Sequence, residues 1–281
     1  MTTAPKLTDR IALTLHRART QQDALFLHEL AADQLQDRLG MVKKRFTDVA
    51  IVTGHPQTWA DRFPNAKIVP DTPTLTLEVG AHDLLIHAMA LHWADDPVGQ
   101  VIQCRRALRP DGLFLSVSPG GQTLAELRAV LAQAEANVAG GLSPRVAPMM
   151  DLRDAGALLQ RAGLALPVAD AERFTVTYAD SPSLMRELRA MGEGNALHAR
   201  DRRIPPRALF AEAARLYAQH HPAADDPARI QATVELIHLS GWAPDDSQPK
   251  PLRPGSASAR LADALGTTEL RPSDNSSGPE D

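Results

Sequence analysis

"TDVAIVTGHPQTWADRFPNAKIV", residues 47–69, decides the fold. The run TDVAIV (47–52) is short, apolar and β-branched, as a buried parallel strand is. Gly54 marks a turn, the segment after it reads as the start of a helix, and AKIV (66–69) reads as the next strand. Strand, turn, helix and strand in that order form one βαβ unit of an α/β sheet.

The same alternation continues. DLLIHAMA (83–90) and LFLSVS (113–118) read as further strands, and DPVGQVIQCRRAL (96–108) between them reads as a helix closed by a turn at RPDG (109–112). Upstream, QQDALFLHELAADQLQDRLGMV (21–42) spaces Leu25, Leu27, Leu30, Leu35 and Leu39 as an amphipathic helix does, and the basic KLTDRIALTLHRARTQQ before it is expected to run into that helix without a break. Downstream, 120–141 and 150–164 read as helices bounded by glycines, ERFTVTYA (172–179) as a strand near a sheet edge, 181–222 as helical and ATVELIHLSGW (232–242) as a last strand, with helix as its alternative. The expected divisions are an N-terminal helical segment (1–45), a main domain (46–265) with a helical lid at about 181–222, and a disordered tail (266–281) rich in Pro, Ser and Asp.

Composition narrows the function. With 30 basic and 34 acidic residues the net charge is −4, so no global charge favours nucleic acid or an anionic membrane. No stretch approaches a membrane span and no secretory signal opens the chain; the expected location is the cytoplasm. The lone Cys104 cannot form an internal disulfide and is given no role.

Four residues stand out as ligand contacts. A turn after the first strand brings backbone N–H groups to a nucleotide-like ligand, and Gly54 holds that place, although Pro56 removes one donor. Asp71 follows the second strand, where an acid accepts ribose hydroxyls; it is equally an ordinary turn residue. His92 and Trp93 leave the third strand on a loop, where they either line a pocket or serve the core and the helix start. His82, His87 and His92 recur every five residues, a spacing that does not converge on an ion in a strand or a helix, so no metal is expected. MGEGNALHARDRR (191–203) reads either as a lid over the open sheet edge or as a plain helix connection.

AMALHWADDP (88–97), ALRPDGLFLSVSPGGQTLAELRAVLAQAE (107–135), GGLSPRVAPMMDLRDAGALLQRAGL (140–164), RAMGEGNAL (189–197) and IHLSGWAPDDSQPKPLRPGSA (237–257) together resemble one family. It is the methyltransferase-fold assembly factor of respiratory complex I, itself similar to the biotin-pathway carrier-protein methyltransferase. The likeness runs from about Leu7 to Leu265, and the stretches 119–149 and 240–257 carry it most specifically to the assembly-factor group.

That resemblance implies a class I S-adenosylmethionine methyltransferase-like, Rossmann-like sheet, mostly parallel, with helices on both faces and a helical insertion before the last strand. It implies S-adenosylmethionine at Gly54, Asp71, His92 and Trp93, a protein substrate such as a complex I subunit, and methylation or, as in the mitochondrial relative, arginine hydroxylation. Val52, Pro56 and Thr58 depart from the family's loop aspartate and its second and third glycines, and the stretch from Asp71 to Asp83 lacks room for the usual helix and strand. The alternative implied is a non-catalytic assembly factor on the same fold. No general base is identified.

Overall fold

The computed structural model describes residues 6–249, 263 and 265–267. By its contacts the chain forms one compact unit to Asp246 and a second from Ser247 onward. In the first unit the elements run α1 (Arg10–Arg17), α2 (Phe26–Met41), β1 (Val49–Thr53), α3 (Pro56–Arg62), β2 (Lys67–Pro70), β3 (His82–Ala88), α4 (Pro97–Ala107), β4 (Leu108–Pro119), α5 (Ala125–Ala139), α6 (Leu152–Arg161), β5 (Ala165–Tyr178), α7 (Ser181–Ala190), α8 (Arg207–His220) and β6 (Ile230–Trp242). Of the second unit, only Ser247 to Pro249, Asp263 and Leu265 to Thr267 are described. The tail expected over 266–281 lies outside the described residues apart from Gly266 and Thr267.

The six strands form one sheet in the order β2-β1-β3-β4-β6-β5. β1 runs parallel to β2 and β3, and β3 to β4; β6 lies antiparallel to both β4 and β5. This is the doubly wound plan of a class I methyltransferase with one strand missing beyond β2. The missing strand follows from the short stretch 71–81, which holds no helix or strand. β5 stands at the edge, as its alternating sequence indicates.

Alternate side chains serve the two faces of the sheet. Ala50, Val52, Leu85, Phe114 and Ile237 face α4 and α6, where Val101, Cys104, Leu158 and Leu159 bury. Ile51, Leu84, Ile86, Leu115 and Leu236 face α2 and α3, where Ala31, Leu35 and Trp59 bury. The insertion between β5 and β6 adds a third cluster, with Leu184 of α7 and Leu209, Ala213 and Tyr217 of α8 against Leu127 and Leu131 of α5. Among the described residues no helix is long and apolar enough to cross a membrane.

Three local readings change. The N-terminal helix is separate from α2, because the chain turns at 18–21 and passes through a 3₁₀ turn (Gln22–Ala24) that swings α1 back over the sheet. RPDG is built into the start of β4, with the turn absorbed by Asp111 in a left-handed conformation (φ 57°). Helix does not extend over 181–222 throughout; residues 191–206 connect α7 to α8 without one.

His238 on β6 couples this packing to pH. It is buried, its Nε2 lies 2.8 Å from Gln34 Oε1 of α2, and burial together with the charge of Arg38 pushes its pKa from 6.5 to about 4. Between those values the unfolded chain binds a proton that the folded chain refuses. Its contribution is therefore whole above pH 6.5 and is lost as the pH falls toward 4, at up to about 1.4 kcal/mol per pH unit. Urea denaturation across pH 4.5–7 should show this slope, and His238→Gln should reduce it by its own share, buried His28 and His87 adding slope of the same sign.

Candidate functional site

The order of strands reverses between β1 and β3, so the crevice for a ligand lies beyond their carboxyl ends. Gly54, Asp71 and the Met89–Trp93 segment all reach that edge, following β1, β2 and β3. The structure thus gathers the four residues singled out in the sequence along one rim. It does not leave them equally open.

At the β1–β2 end the rim is filled by α1. Arg17 Nη1 lies 2.8 Å from Asp71 Oδ1, and Arg10 Nη2 lies 3.3 Å from the same oxygen. Asp71 is buried, and the Arg17 guanidinium packs so closely on Gly54 that a methyl group there would collide with it. S-adenosylmethionine needs the backbone at Gly54 and a free ribose acceptor at Asp71, so in this arrangement those two residues do not fit it. Asp71 instead anchors α1.

At the β3 end lies a different constellation. Met89 takes a left-handed conformation (φ 50°) with its N–H bonded to Val117 O at 2.8 Å, a strained junction of the kind found at functional sites. Beyond it, His92 and Trp93 both turn inward onto Glu193. Trp93 Nε1 donates to Glu193 Oε2 at 2.6 Å, and His92 Nε2 lies 3.2 Å from that oxygen. His55 Nε2 is 3.8 Å from Glu193 Oε1, and the ring of His28 stands edge-on to His55 with centroids 4.3 Å apart. Burial alone would raise the Glu193 pKa, but the adjacent His55 and His92 imidazoles and the charge of Arg17 outweigh it and hold the carboxyl well below its usual range. Burial pushes His28 down to about 3, leaving a neutral imidazole.

Glu193 reaches this position because of its neighbours in MGEGN. Gly192 is left-handed (φ 85°), and a side chain on it would come within 2.5 Å of Thr20 Oγ1; Gly194 would approach His16 Nδ1 to 3.1 Å. Only glycines on both sides let the 191–195 turn press against α1 and drive the carboxylate inward. Leu197 then pairs with Thr8, closing the turn against the N-terminal segment.

Beside Glu193 opens a cavity of about 920 Å³. Met89, Trp93, Leu127, Met185, Met191 and Phe210 give it apolar walls; His92 and Glu193 line it too, and Arg19, Arg145, Arg186 and Arg189 also reach it. Such a cavity, apolar with a few convergent polar groups, has the form of a ligand site.

Sequence reasoning found His92 and Trp93 but not Glu193, His28 or His55 as their partners. The only signal for Glu193 was its position between two glycines in a turn of otherwise solvated charges. His82 and His87 stay apart from this site: His82 Nδ1 sits 3.3 Å from Asp48 O, and His87 Nε2 sits 2.7 Å from Gln100 Oε1.

No protein-family model matches the chain. The chain is 39% identical over 188 residues to the mitochondrial arginine-hydroxylase NDUFAF5 of Dictyostelium discoideum, covering 67% of this chain and 43% of that protein. It is 29% identical over 248 residues to the protein of the same name in Danio rerio, covering 88% of this chain and 70% of that one. The malonyl-[acyl-carrier protein] O-methyltransferase of Laribacter hongkongensis is 34% identical over 179 residues, covering 64% of this chain and 57% of that enzyme. The matched stretch thus spans between two fifths and seven tenths of these relatives' own lengths. The sheet has the strand order of the class I methyltransferase fold, its ligand rim lies at the ends of β1 and β3, and along most of its length the chain is similar to the mitochondrial arginine-hydroxylase NDUFAF5 proteins.

Proposed function

We propose that this chain modifies an arginine side chain of a protein partner, a subunit of respiratory complex I, and that the modification is hydroxylation, in which one atom of O2 enters the side chain and two electrons and two protons from an external reductant carry the other to water. The observation that carries the reading is the apolar cavity that the Glu193–His92–Trp93 constellation lines. An arginine side chain is a long apolar stem with a planar cation at its tip. Apolar walls suit the stem, while an indole and a carboxylate beside them suit the guanidinium. The name of the relatives supports the residue type and the reaction.

S-adenosylmethionine enters this reading as a ligand of the rim that requires Arg17 to leave Asp71, with His92 and Trp93 beside it. A second reading, an assembly factor that binds its partner without this cofactor, is favoured by the one observation that Arg17 fills the cofactor's place.

Calorimetry with short peptides tests the substrate class. An arginine-bearing peptide of the complex I subunit should bind at least tenfold more tightly than the same peptide with lysine, because a point-charge ammonium cannot reproduce the planar contacts. Equal affinities would contradict the proposal.

A further inference from the structure

The cluster around Glu193, at the cavity wall, carries more unsatisfied chemistry than substrate binding uses. Among the described residues, His55 Nε2, Glu193 Oε1 and His92 Nδ1 are buried atoms with no hydrogen-bond partner. Buried polar atoms are normally satisfied, and several orphans of ligating type in one place call for an explanation. Two of them face each other: His55 Nε2 and Glu193 Oε1 stand 3.8 Å apart. One donor atom each from His28, His55 and Glu193 lies within 4.8 Å of the others.

We propose that His28, His55 and Glu193 bind one divalent first-row transition metal ion, of the Fe(II) or Co(II) type, behind the Glu193 carboxylate that lines the cavity. Two imidazoles and one carboxylate are the set that holds non-haem Fe(II) while leaving other coordination positions open. Metal bonds of about 2.1 Å place neighbouring donors about 3 Å apart. The His55–Glu193 pair needs to close by less than an ångström to meet that.

Trp93 Nε1 and His92 hold Glu193 Oε2 and leave Oε1 for the ion, as outer-shell partners orient a ligand. Arg17 also acts on Glu193 and His28 electrostatically; its Nη1 is committed to Asp71, while its buried Nε and Nη2 have no partner, so the ion must be held with this cation nearby. One contact opposes the ion: Trp59 Nε1 donates to His28 Nδ1 at 3.3 Å and must let go for His28 to turn a lone pair toward the metal.

The inference deepens the hydroxylase reading by naming what the Glu193 cluster holds, yet it is tested without substrate. The full chain, stripped of metal, is titrated with Co(II) and followed by visible absorption. One equivalent should bind with d–d bands, and His55→Ala and Glu193→Gln should each weaken binding at least tenfold. Trp59→Phe, which frees His28 Nδ1 and keeps a large apolar ring, should tighten it; this variant decides the matter if the others misfold. His220→Ala/His221→Ala should leave binding unchanged. No Co(II) binding by the native chain, binding indifferent to residues 55, 59 and 193, or binding lost with His220 and His221 would overturn the proposal. Arginine modification by a chain that binds no metal would overturn this inference alone and leave the proposed function standing.

Discussion

Glu193→Gln should lower the modification of the arginine substrate by at least about a hundredfold while the protein remains folded. Glutamine fills the volume of glutamate and still accepts from Trp93 Nε1, now 2.6 Å from Glu193 Oε2, so the 191–195 turn keeps its packing. What it loses is charge. His92 leans on the carboxylate at 3.2 Å, and a charge-assisted hydrogen bond contributes about 1.5–3 kcal/mol. A loss of about 3 kcal/mol in the transition state is more than a hundredfold in rate. Mass spectrometry of the product under single-turnover conditions measures the rate, and thermal denaturation checks the fold. Activity within about threefold of the native chain would remove Glu193 from the centre of the account.

Arg17→Ala should have the largest effect at the other end of the rim. The Arg17 and Asp71 side chains are only 10% and 6% exposed, so their pair is sheltered from solvent screening. Removing one member of a buried pair costs about 3–5 kcal/mol, and the lower figure applies because Arg10 stays near Asp71. The same substitution uncovers Gly54 and returns the Asp71 carboxylate to the cleft. Stability in urea should therefore fall by about 3 kcal/mol while affinity for S-adenosylmethionine, measured by calorimetry, rises at least tenfold. A destabilised variant with unchanged affinity would show that Arg17 is structural and that the rim is no cofactor cleft, which favours the binding-factor reading.

The sheet was legible because its strands are short apolar runs set apart by turns and helices, and the pattern at 47–69 repeats at 83–118. The local misreadings share a cause. Asp111 and the turn at 18–21 put non-glycine residues where the chain bends, held there by contacts such as Lys44 Nζ to Asp111 Oδ2 at 2.6 Å that no window of sequence displays. Propensity is overruled by packing in such places.

The site was legible in part for the same reason. His92 and Trp93 announce themselves as costly residues on a loop at a strand end. His28 sits on the inner face of an amphipathic helix and His55 sits in a loop where it reads as an obstruction. Glu193 lies far along the chain in a segment of solvated charges. Only the return of α1 and the 191–195 turn over the sheet edge brings the three together. Arg17 was equally hidden: a basic residue in an N-terminal helix gives no sign that its partner is Asp71, 54 positions away.

The most direct measurement is mass spectrometry of complex I subunits from cells with and without this chain. The account predicts one arginine that carries an added oxygen atom when the chain is present and none when it is absent or carries Glu193→Gln. An added methyl group on that arginine, or an arginine whose mass does not depend on the chain, would contradict it.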